Sequence, residues 1–299
     1  MVQDFVGAHR RAPPLGNSNR NRRQGTGARL CAPTKIWKRA GAARSLLSRL
    51  RSYQTTGIVL KQKPLGEADR IVTLYTADRG KVRAVAGGIR KARSRLAGHL
   101  EPLTLVQVSL AHGRELDHVT EAATLDSFRA LREDLSKLSV GMYLAEIVES
   151  FAQEHAANSA EFDLLIGALS LLQTVNDPAI LLRHFEVRVL GAGGFGPELQ
   201  RCVECHAVLE PGDHTFSCAM GGLLCADCKG QTDGVSMRLS LNAIKVLRNF
   251  QRAPYDAVAG LKLSPPLLAE VSRLLSTYIR SVLDHELKSA EFMHMVGKG

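Results

Sequence analysis

Four cysteines stand in two pairs that could hold one metal ion. Each pair has the spacing C-x2-C, and nineteen residues separate the pairs, a pattern typical of tetrahedral zinc sites. Four thiolates would fill the coordination sphere and leave no position for water or substrate. The sequence therefore predicts one structural Zn²⁺ per chain, bound by Cys202, Cys205, Cys225 and Cys228.

The same cysteines could instead form two disulfides or lie unrelated in a core. Six cysteines in 299 residues, with no apolar signal-peptide core near the start, do not fit a secreted disulfide scaffold, so a reducing cytosol is expected. Cys218, His206 and His214 could each replace a ligand, although none repeats the paired spacing. Cys218 is expected to be a packed or partly exposed thiol, and Cys31 a free thiol.

Positive charge is the second feature of the sequence that could have a chemical role. The net charge is +10, but residues 1–52 hold twelve basic side chains against one acid. Residues 53–95 hold ten basic side chains against three acids, and residues 96–299 carry a net charge of −8. A basic front part and an acidic back part indicate that any contact with nucleic acid involves the front part.

Seven cations of the front part are predicted to contact DNA. Four of them fall within six residues next to the pair Gly87-Gly88, where they could lie along phosphates without reading bases. The alternative is a solvated surface loop. We call Arg90, Lys91, Arg93 and Arg95 the loop cations, and Arg79, Lys81 and Arg83, on the preceding predicted hairpin, the hairpin cations.

Residues 1–52 are rich in Arg, Gly, Ala, Asn and Pro and show no sustained period, so a basic, disordered extension is expected. A misassigned or nonfunctional extension is the first interpretation. An organellar transit peptide is the second, and a DNA-tethering arm is also open.

Residues 53–126 are predicted to form a small antiparallel β-barrel, an OB-fold that binds DNA. Short apolar runs broken by turn residues support this, and Asp78-Arg79-Gly80 is a hairpin signal. The predicted strands are 55–62, 69–76, 81–86, 104–111 and about 115–123.

The rest of the chain is predicted to be helical apart from the cysteine segment. The expected parts are a helical bundle at 127–197, a zinc-finger segment at 198–232 and C-terminal helices at 233–299, which gives an α+β multidomain protein. A helix is predicted from about Thr124 through Phe151, with Leu125 and Leu135 in its apolar stripe, and a final helix runs from Pro265 through Leu287. No apolar run is long enough to span a bilayer, so a soluble protein is expected.

Two motifs are interpreted as having no chemical role. Gly191-Ala192-Gly193-Gly194-Phe195-Gly196 spells G-x-G-x-x-G, but it follows a helix rather than a strand, so it is predicted to be a helix-terminating turn. The carboxylates of Glu67 and Asp69 have no catalytic constellation around them.

Several motifs together resemble the bacterial RecO family of DNA repair proteins. The similarity covers about residues 53–290, and residues 1–52 lie outside it. The motifs are Thr56-Gly57-Ile58-Val59-Leu60, Gly66-Glu67-Ala68-Asp69-Arg70-Ile71-Val72, Leu74-Tyr75-Thr76, Gly80-Lys81, Gly87-Gly88, Ser94-Arg95-Leu96, Leu100-Glu101-Pro102, Cys202 to Cys205, Phe216-Ser217 and Gly221-Gly222-Leu223-Leu224-Cys225-Ala226-Asp227-Cys228. Leu103 departs from the pattern, since the family commonly has an aromatic residue after the Glu-Pro pair.

The resemblance implies an OB-fold barrel, a helical bundle and a zinc-finger insertion in a nonenzymatic, cytoplasmic and nucleoid-associated protein of the RecF recombination pathway. It implies binding of single- and double-stranded DNA, annealing of complementary strands, and cooperation with RecR in replacing single-strand-binding protein by RecA. The acidic C-terminal tail of single-strand-binding protein is expected to dock on the helical body.

Two other classes of protein remain as rivals. A zinc-ribbon transcription or translation factor would contact nucleic acid through its ribbon, but residues 198–232 contain only Arg201 and Lys229 as cations. A metallohydrolase would need an open metal position, which four thiolates do not offer.

Overall fold

The N-terminal part of the described chain is a five-stranded barrel. A computed structural model of the protein describes residues 52–230 and 234–296, so the predicted extension at 1–52 lies outside the described residues except for Ser52. The strands are β1 (Ser52–Leu65), β2 (Asp69–Thr76), β3 (Gly80–Ala86), β4 (Leu105–Ala111) and β5 (Asp117–Asp126). All five predicted strands are present, and β1 and β5 are longer than expected.

The barrel closes in the strand order β1-β2-β3-β5-β4, with β4 pairing back to β1. Neighbouring strands are antiparallel except for a short parallel pairing of β3 with β5 at Ala84 and Val85. Alternate residues of β3 point inward, and Val82 and Ala84 are fully buried. This order and closure are those of an OB-like barrel, which confirms the predicted fold.

Helices follow the barrel and surround a small second sheet. The first group comprises α1 (Arg129–Arg132), α2 (Leu135–Phe151), α3 (Ser159–Leu172) and α4 (Ala179–Ala192). The second sheet contains β6 (His214–Ser217), β7 (Gly222–Leu224) and β8 (Ser236–Leu239), in the order β7-β6-β8. The last group comprises α5 (Leu241–Arg252), α6 (Tyr255–Val258), α7 (Pro265–Leu283) and α8 (Lys288–Val296). The domain boundaries given above stay predictions.

The predicted continuous helix from Thr124 to Phe151 is wrong at its start. Strand β5 continues to Asp126, and α2 begins only at Leu135, after Asp134 accepts hydrogen bonds from two backbone N–H groups of its first turn. Leu125 and Leu135 are 54% and 57% exposed, so they belong to no apolar stripe. The capping carboxylate and the strand pairing therefore outweigh the apparent helical period of the leucines.

The final predicted helix is also interrupted. Helix α7 ends at Leu283, because Asp284 adopts a left-handed conformation with φ 56°, and Leu287 lies before α8. The glycine-rich turn is present as predicted: α4 ends at Ala192, and the N–H of Phe195 donates to the carbonyl of Leu190 at 2.7 Å.

The barrel has one core inside and contributes to another outside. Its interior is filled by aliphatic side chains such as Val72, Leu74 and Val108. On its outer wall, Ile58, Leu60 and Tyr75 are at most 3% exposed, and they belong to the core that the helices and the second sheet share. The barrel is thus joined to the helices by buried apolar contacts. Among the described residues, no helix combines the length and the apolar character needed to cross a membrane.

Candidate metal centre and nucleic-acid interface

The four paired cysteines converge on one point. The sulfur atoms of Cys202, Cys205, Cys225 and Cys228 lie within 4.8 Å of one another. Two backbone hydrogen bonds close the first turn, from the N–H of Cys202 to the carbonyl of Ala207 at 2.8 Å and from the N–H of His206 to the carbonyl of Cys202 at 2.9 Å. This geometry could hold one metal ion among four sulfur ligands.

The environment of Cys202 favours the thiolate form that metals require. Burial raises the pKa of this thiol, but hydrogen bonds from the backbone N–H groups of Cys205, Cys225 and Glu204 outweigh burial and lower the pKa to about 6. The N–H of Cys225 is 3.4 Å from the sulfur of Cys202. The backbone therefore prepares one ligand before any ion is bound.

The three alternative ligands stand outside this cluster. Cys218 is 4% exposed, and burial raises the pKa of its thiol. His214 forms a hydrogen bond through Nε2 with the carbonyl of Glu210 at 2.8 Å. Within the described residues, the sulfur cluster contains neither Cys218 nor His206 nor His214. The paired spacing alone identified the four residues that come together.

The second sheet fixes the cysteine segment to the helices. Phe216 of β6 is fully buried, and its ring meets the ring of Tyr278 on α7 at a centroid distance of 5.2 Å. The hydroxyl of Tyr278 donates to the carbonyl of Phe195 at 2.9 Å. The segment is thereby built into the shared core, as expected for a structural metal centre.

Each of the hairpin cations contacts a protein group. The ammonium of Lys81 donates to the backbone carbonyl of Glu149 in α2 at 2.9 Å. Nε of Arg83 is 2.7 Å from the carboxylate of Glu154, in the segment after α2. The guanidinium of Arg79 lies 3.9 Å from the centre of the Tyr53 ring. The structure thus brings all three residues to the rim of the barrel and engages each of them there.

Close backbone approach explains why the hairpin is held in this position. Gly80 has a φ of +63°, and a Cβ atom at Gly80 would lie 2.0 Å from the carbonyl oxygen of Ala156. The N–H of His155 also donates to the carbonyl of Lys81 at 3.1 Å. A glycine is therefore required for the hairpin to reach the helical body.

The loop cations are placed differently. Arg90, Lys91, Arg93 and Arg95 are all exposed, and within 52–230 and 234–296 no carboxylate forms an ion pair with any of them. Their loop is nevertheless anchored, because Ile89 is 4% exposed in the barrel core and the N–H of Gly88 donates to the carboxylate of Asp69 at 2.7 Å. Four cations without an ion pair among the described residues therefore lie on a loop whose backbone is anchored to the barrel.

Sequence reasoning missed three carboxylates that organise this surface. Asp69, which was given no chemistry, anchors the basic loop. Glu149 and Glu154 lie far along the chain from the hairpin, and nothing in the local sequence signals that they face Lys61 and Arg83. Long-range ion pairs of this kind have no sequence period from which to predict them.

Two neighbouring pockets lie on the helical body, on the side of α2, α7 and α8. Their volumes are about 500 and 340 Å³, and both are lined by Tyr143, Ser276 and Ala290. Beneath them the hydroxyl of Tyr143 donates to the carboxylate of Glu186 at 2.7 Å, and Arg183 pairs with the same oxygen at 2.9 Å. Burial raises the pKa of Glu186 despite the adjacent guanidinium.

Comparisons with known proteins match most of the described residues. Residues 50–128 match the sequence model of the family described as Recombination protein O N terminal, and residues 132–291 match Recombination protein O C terminal. The chain is 40% identical to a DNA repair protein RecO from Roseiflexus sp. (strain RS-1), over 81% of this chain and 85% of the relative. It is 36% identical to the RecO of Symbiobacterium thermophilum, over 81% of this chain and 96% of the relative.

A third relative, the DNA repair protein RecO of Desulforamulus reducens, is 35% identical over 83% of this chain and 96% of its own length. The matched regions include the barrel, the helices and the paired cysteines, which are the parts that carry the structural features described above. The chain therefore belongs to the RecO family of DNA repair proteins.

Proposed function

We propose that this protein is a nonenzymatic mediator of the RecF recombination pathway. It binds single- and double-stranded DNA, anneals complementary strands and, with RecR, helps to load RecA on DNA coated with single-strand-binding protein. It acts in the cytoplasm in association with the nucleoid. Membership of the RecO family supports this assignment.

The observation that carries the proposal is the set of four loop cations, which have no ion pair among the described residues and lie on an anchored loop of the barrel. Exposed guanidinium and ammonium groups neutralise phosphates and release bound counterions, which gives affinity without sequence preference. The hairpin cations were also predicted to contact DNA. Each of them already has a protein partner, so we assign them the weaker part of any DNA contact.

Annealing follows from charge screening and needs no covalent step. Two single strands repel each other through their phosphates, and a basic surface that binds both lowers this repulsion. The bases then pair without further help from the protein. A mediator of this kind requires exposed positive charge and a stable scaffold, and both are features of this molecule.

A structural zinc ion is part of the proposal. Cys202, Cys205, Cys225 and Cys228 would bind it, and the four thiolates would leave no position at which it could act on a substrate. Its contribution would be to hold β6, β7 and the turns around them against α7. Metal analysis of the purified protein, with one Zn²⁺ expected per chain, tests this assignment.

The two adjoining pockets on the helical body are where we place the acidic C-terminal tail of single-strand-binding protein. Apolar side chains such as Leu268, Met293 and Ile279 line them. Arg273 and Lys288 are exposed at their edges, where they could pair with the carboxylates of a peptide. Charge reversal of these two residues should abolish binding of a tail peptide measured by fluorescence anisotropy, while binding of DNA is retained.

Annealing of oligonucleotides coated with single-strand-binding protein is the central test. The full chain is compared with a variant in which all four loop cations are replaced by Gln. We expect annealing to fall at least tenfold in the variant and its circular dichroism to match that of the parent. A parent protein that neither binds DNA nor anneals it would contradict the proposed function.

A further inference from the structure

Within 52–230 and 234–296, one outer face of the barrel has no element packed on it, and another is covered by helices. The outer wall at β1 and β2 packs on α2 and α3 through Ile58, Leu60 and Tyr75. The adjoining start of β3 is held against α2 by Lys81 and against the segment that follows α2 by Arg83. OB-folds commonly bind oligonucleotides on the face of their second and third strands. In this molecule much of that face is covered, so a DNA strand needs another path.

The free face is formed by β1, β4 and β5. Two rows of outward-pointing side chains cross these three strands, as the strand register shows. The rows are Gln54, Ser109 and Glu121, and Thr56, Gln107 and Ala123. All six side chains are exposed or partly exposed. They are small or uncharged except for Glu121, so the surface offers hydrogen-bonding groups at little steric cost.

A shallow groove of about 560 Å³ runs over this face. Its wall on one side is the loop between β3 and β4, which contributes Arg95, Leu96 and His99. The ring of His99 is held by a hydrogen bond of 2.9 Å between Nδ1 and the hydroxyl of Thr124 on β5. The loop cations and the groove are therefore continuous, because Arg95 belongs to both.

The charge and chemistry of this surface select the kind of occupant. Arg95 is the loop cation that lines the groove, and Glu121 is the single carboxylate among the described residues that line it. Amide and hydroxyl groups on the strands can donate to phosphate or sugar oxygens. A polyanion with regularly spaced acceptors along its length matches this arrangement better than a compact anion does.

The groove lacks the feature by which many OB-folds hold bases. Among the described residues that line it, none is Phe, Tyr or Trp. Single-strand binding proteins commonly stack successive bases on such rings. A strand held here is therefore held by its backbone, and its bases are left without a stacking platform on the protein.

We propose that a single DNA strand lies by its sugar-phosphate backbone along the groove of β1, β4 and β5, with its bases directed away from the barrel. This inference rests on the proposed function and adds the path and the orientation of the strand to it. Outward bases remain available to a complementary strand. The same surface therefore binds the strand and presents it for pairing.

Removal of the groove carboxylate gives a gain-of-binding test. Glu121→Gln in the full chain should tighten binding of a fluorescent oligo(dT) about two- to threefold at low salt, since one repulsive charge close to the phosphates is removed. Glu210→Gln is the matched control, because Glu210 is also exposed but lies in the cysteine segment, outside the barrel. Equal effects of the two substitutions would overturn the proposed path.

Addition of a carboxylate gives the opposite result if the path is correct. Ala123→Glu should weaken oligo(dT) binding about threefold or more, whereas Ala160→Glu, which adds the same charge at an exposed position of α3, should change it little. Both variants are checked for an unchanged unfolding transition. Unaltered binding by Ala123→Glu would place the strand elsewhere on the protein.

The orientation of the bases is tested by chemical reactivity. Thymines in bound oligo(dT) should stay as reactive toward permanganate as free thymines, because permanganate attacks the exposed base. Protection of the thymines would show that the bases face the protein and would overturn the orientation. If no variant or parent protein binds oligo(dT), the proposed function itself fails, which distinguishes that outcome from a wrong path.

Discussion

The hairpin cations and the loop cations are alike in residue type and differ in the partners of their side chains. Both groups consist of Arg and Lys close together in the basic part of the barrel. The hairpin cations meet a carbonyl, a carboxylate and an aromatic ring, while the loop cations have no acidic partner among the described residues. A cluster of positive charge therefore signals a binding surface only when the rest of the fold leaves it unpaired.

The largest effect is expected at the candidate metal centre. Substitutions there test the scaffold rather than the DNA-binding surface. Cys225→Ser with Cys228→Ser should abolish metal binding and lower the free energy of unfolding by more than about 3 kcal/mol, because β6 and β7 contribute to the shared core. Thermal unfolding with and without a chelator measures this. The control is Cys218→Ser, at a buried cysteine outside the sulfur cluster, which should leave the metal content unchanged.

The next effect distinguishes the two groups of cations directly. Replacement of all four loop cations by Gln should reduce the slope of log K against log salt concentration by about 3 for single-stranded DNA, at about 0.7 per lost phosphate contact. Replacement of the three hairpin cations by Gln should reduce it by less than about 1. Similar slopes in the two variants would remove the distinction between the groups.

Loss of a hairpin cation should lower the stability of the protein rather than the salt dependence of DNA binding. Lys81→Met removes a charged hydrogen bond to the carbonyl of Glu149 and should lower the free energy of unfolding by about 1 to 3 kcal/mol. Lys91→Met is the matched control, because Lys91 is exposed in the loop, and it should leave stability unchanged. Urea unfolding of both variants provides the measurement. Equal losses would show that Lys81 is not tied to the helical body.

The smallest effect concerns Glu161, a buried carboxylate beside the hairpin. Burial raises its pKa above the ordinary value of 4.5, and the opposing hydrogen bond from Tyr75 and the charge of Lys81 only partly offset this. An acid whose pKa is raised on folding stabilises the protein below its unfolded pKa, and this contribution is lost as the pH rises through the folded value.

Glu161→Gln should therefore raise the free energy of unfolding at pH 7, on the order of 1 kcal/mol, and should make no difference below about pH 4. Unfolding curves of the parent and the variant at both pH values test this. Glu67→Gln, at an exposed carboxylate in the turn between β1 and β2, serves as the control. A difference that persists at low pH would show that the effect comes from packing rather than from charge.

Local patterns predicted most of the elements and the cluster of four cysteines. The turn at Asp78-Arg79-Gly80 and the paired cysteines depend on neighbours in sequence, and both are present in the structure. The helix predicted from Thr124 failed because the pairing of β5 with β4 and the cap at Asp134 decide where α2 begins. The helical spacing of the leucines reveals neither the strand pairing nor the cap.

The surroundings of the cations could not be predicted for a different reason. Lys81 and Glu149 are 68 residues apart, and their contact depends on how the barrel packs on α2. The tight approach of Gly80 to Ala156 is likewise a product of tertiary packing. A sequence shows which side chains carry charge, whereas only the assembled fold shows which charges are already balanced.

The buried wall formed by Ile58, Leu60 and Tyr75 limits how this protein can be divided. A fragment that ends at Asp126 would keep a complete barrel but would uncover these three side chains as a continuous apolar patch. Such a fragment would self-associate rather than behave as a transplantable module. The barrel and the helices must therefore be inherited, expressed and engineered as one unit.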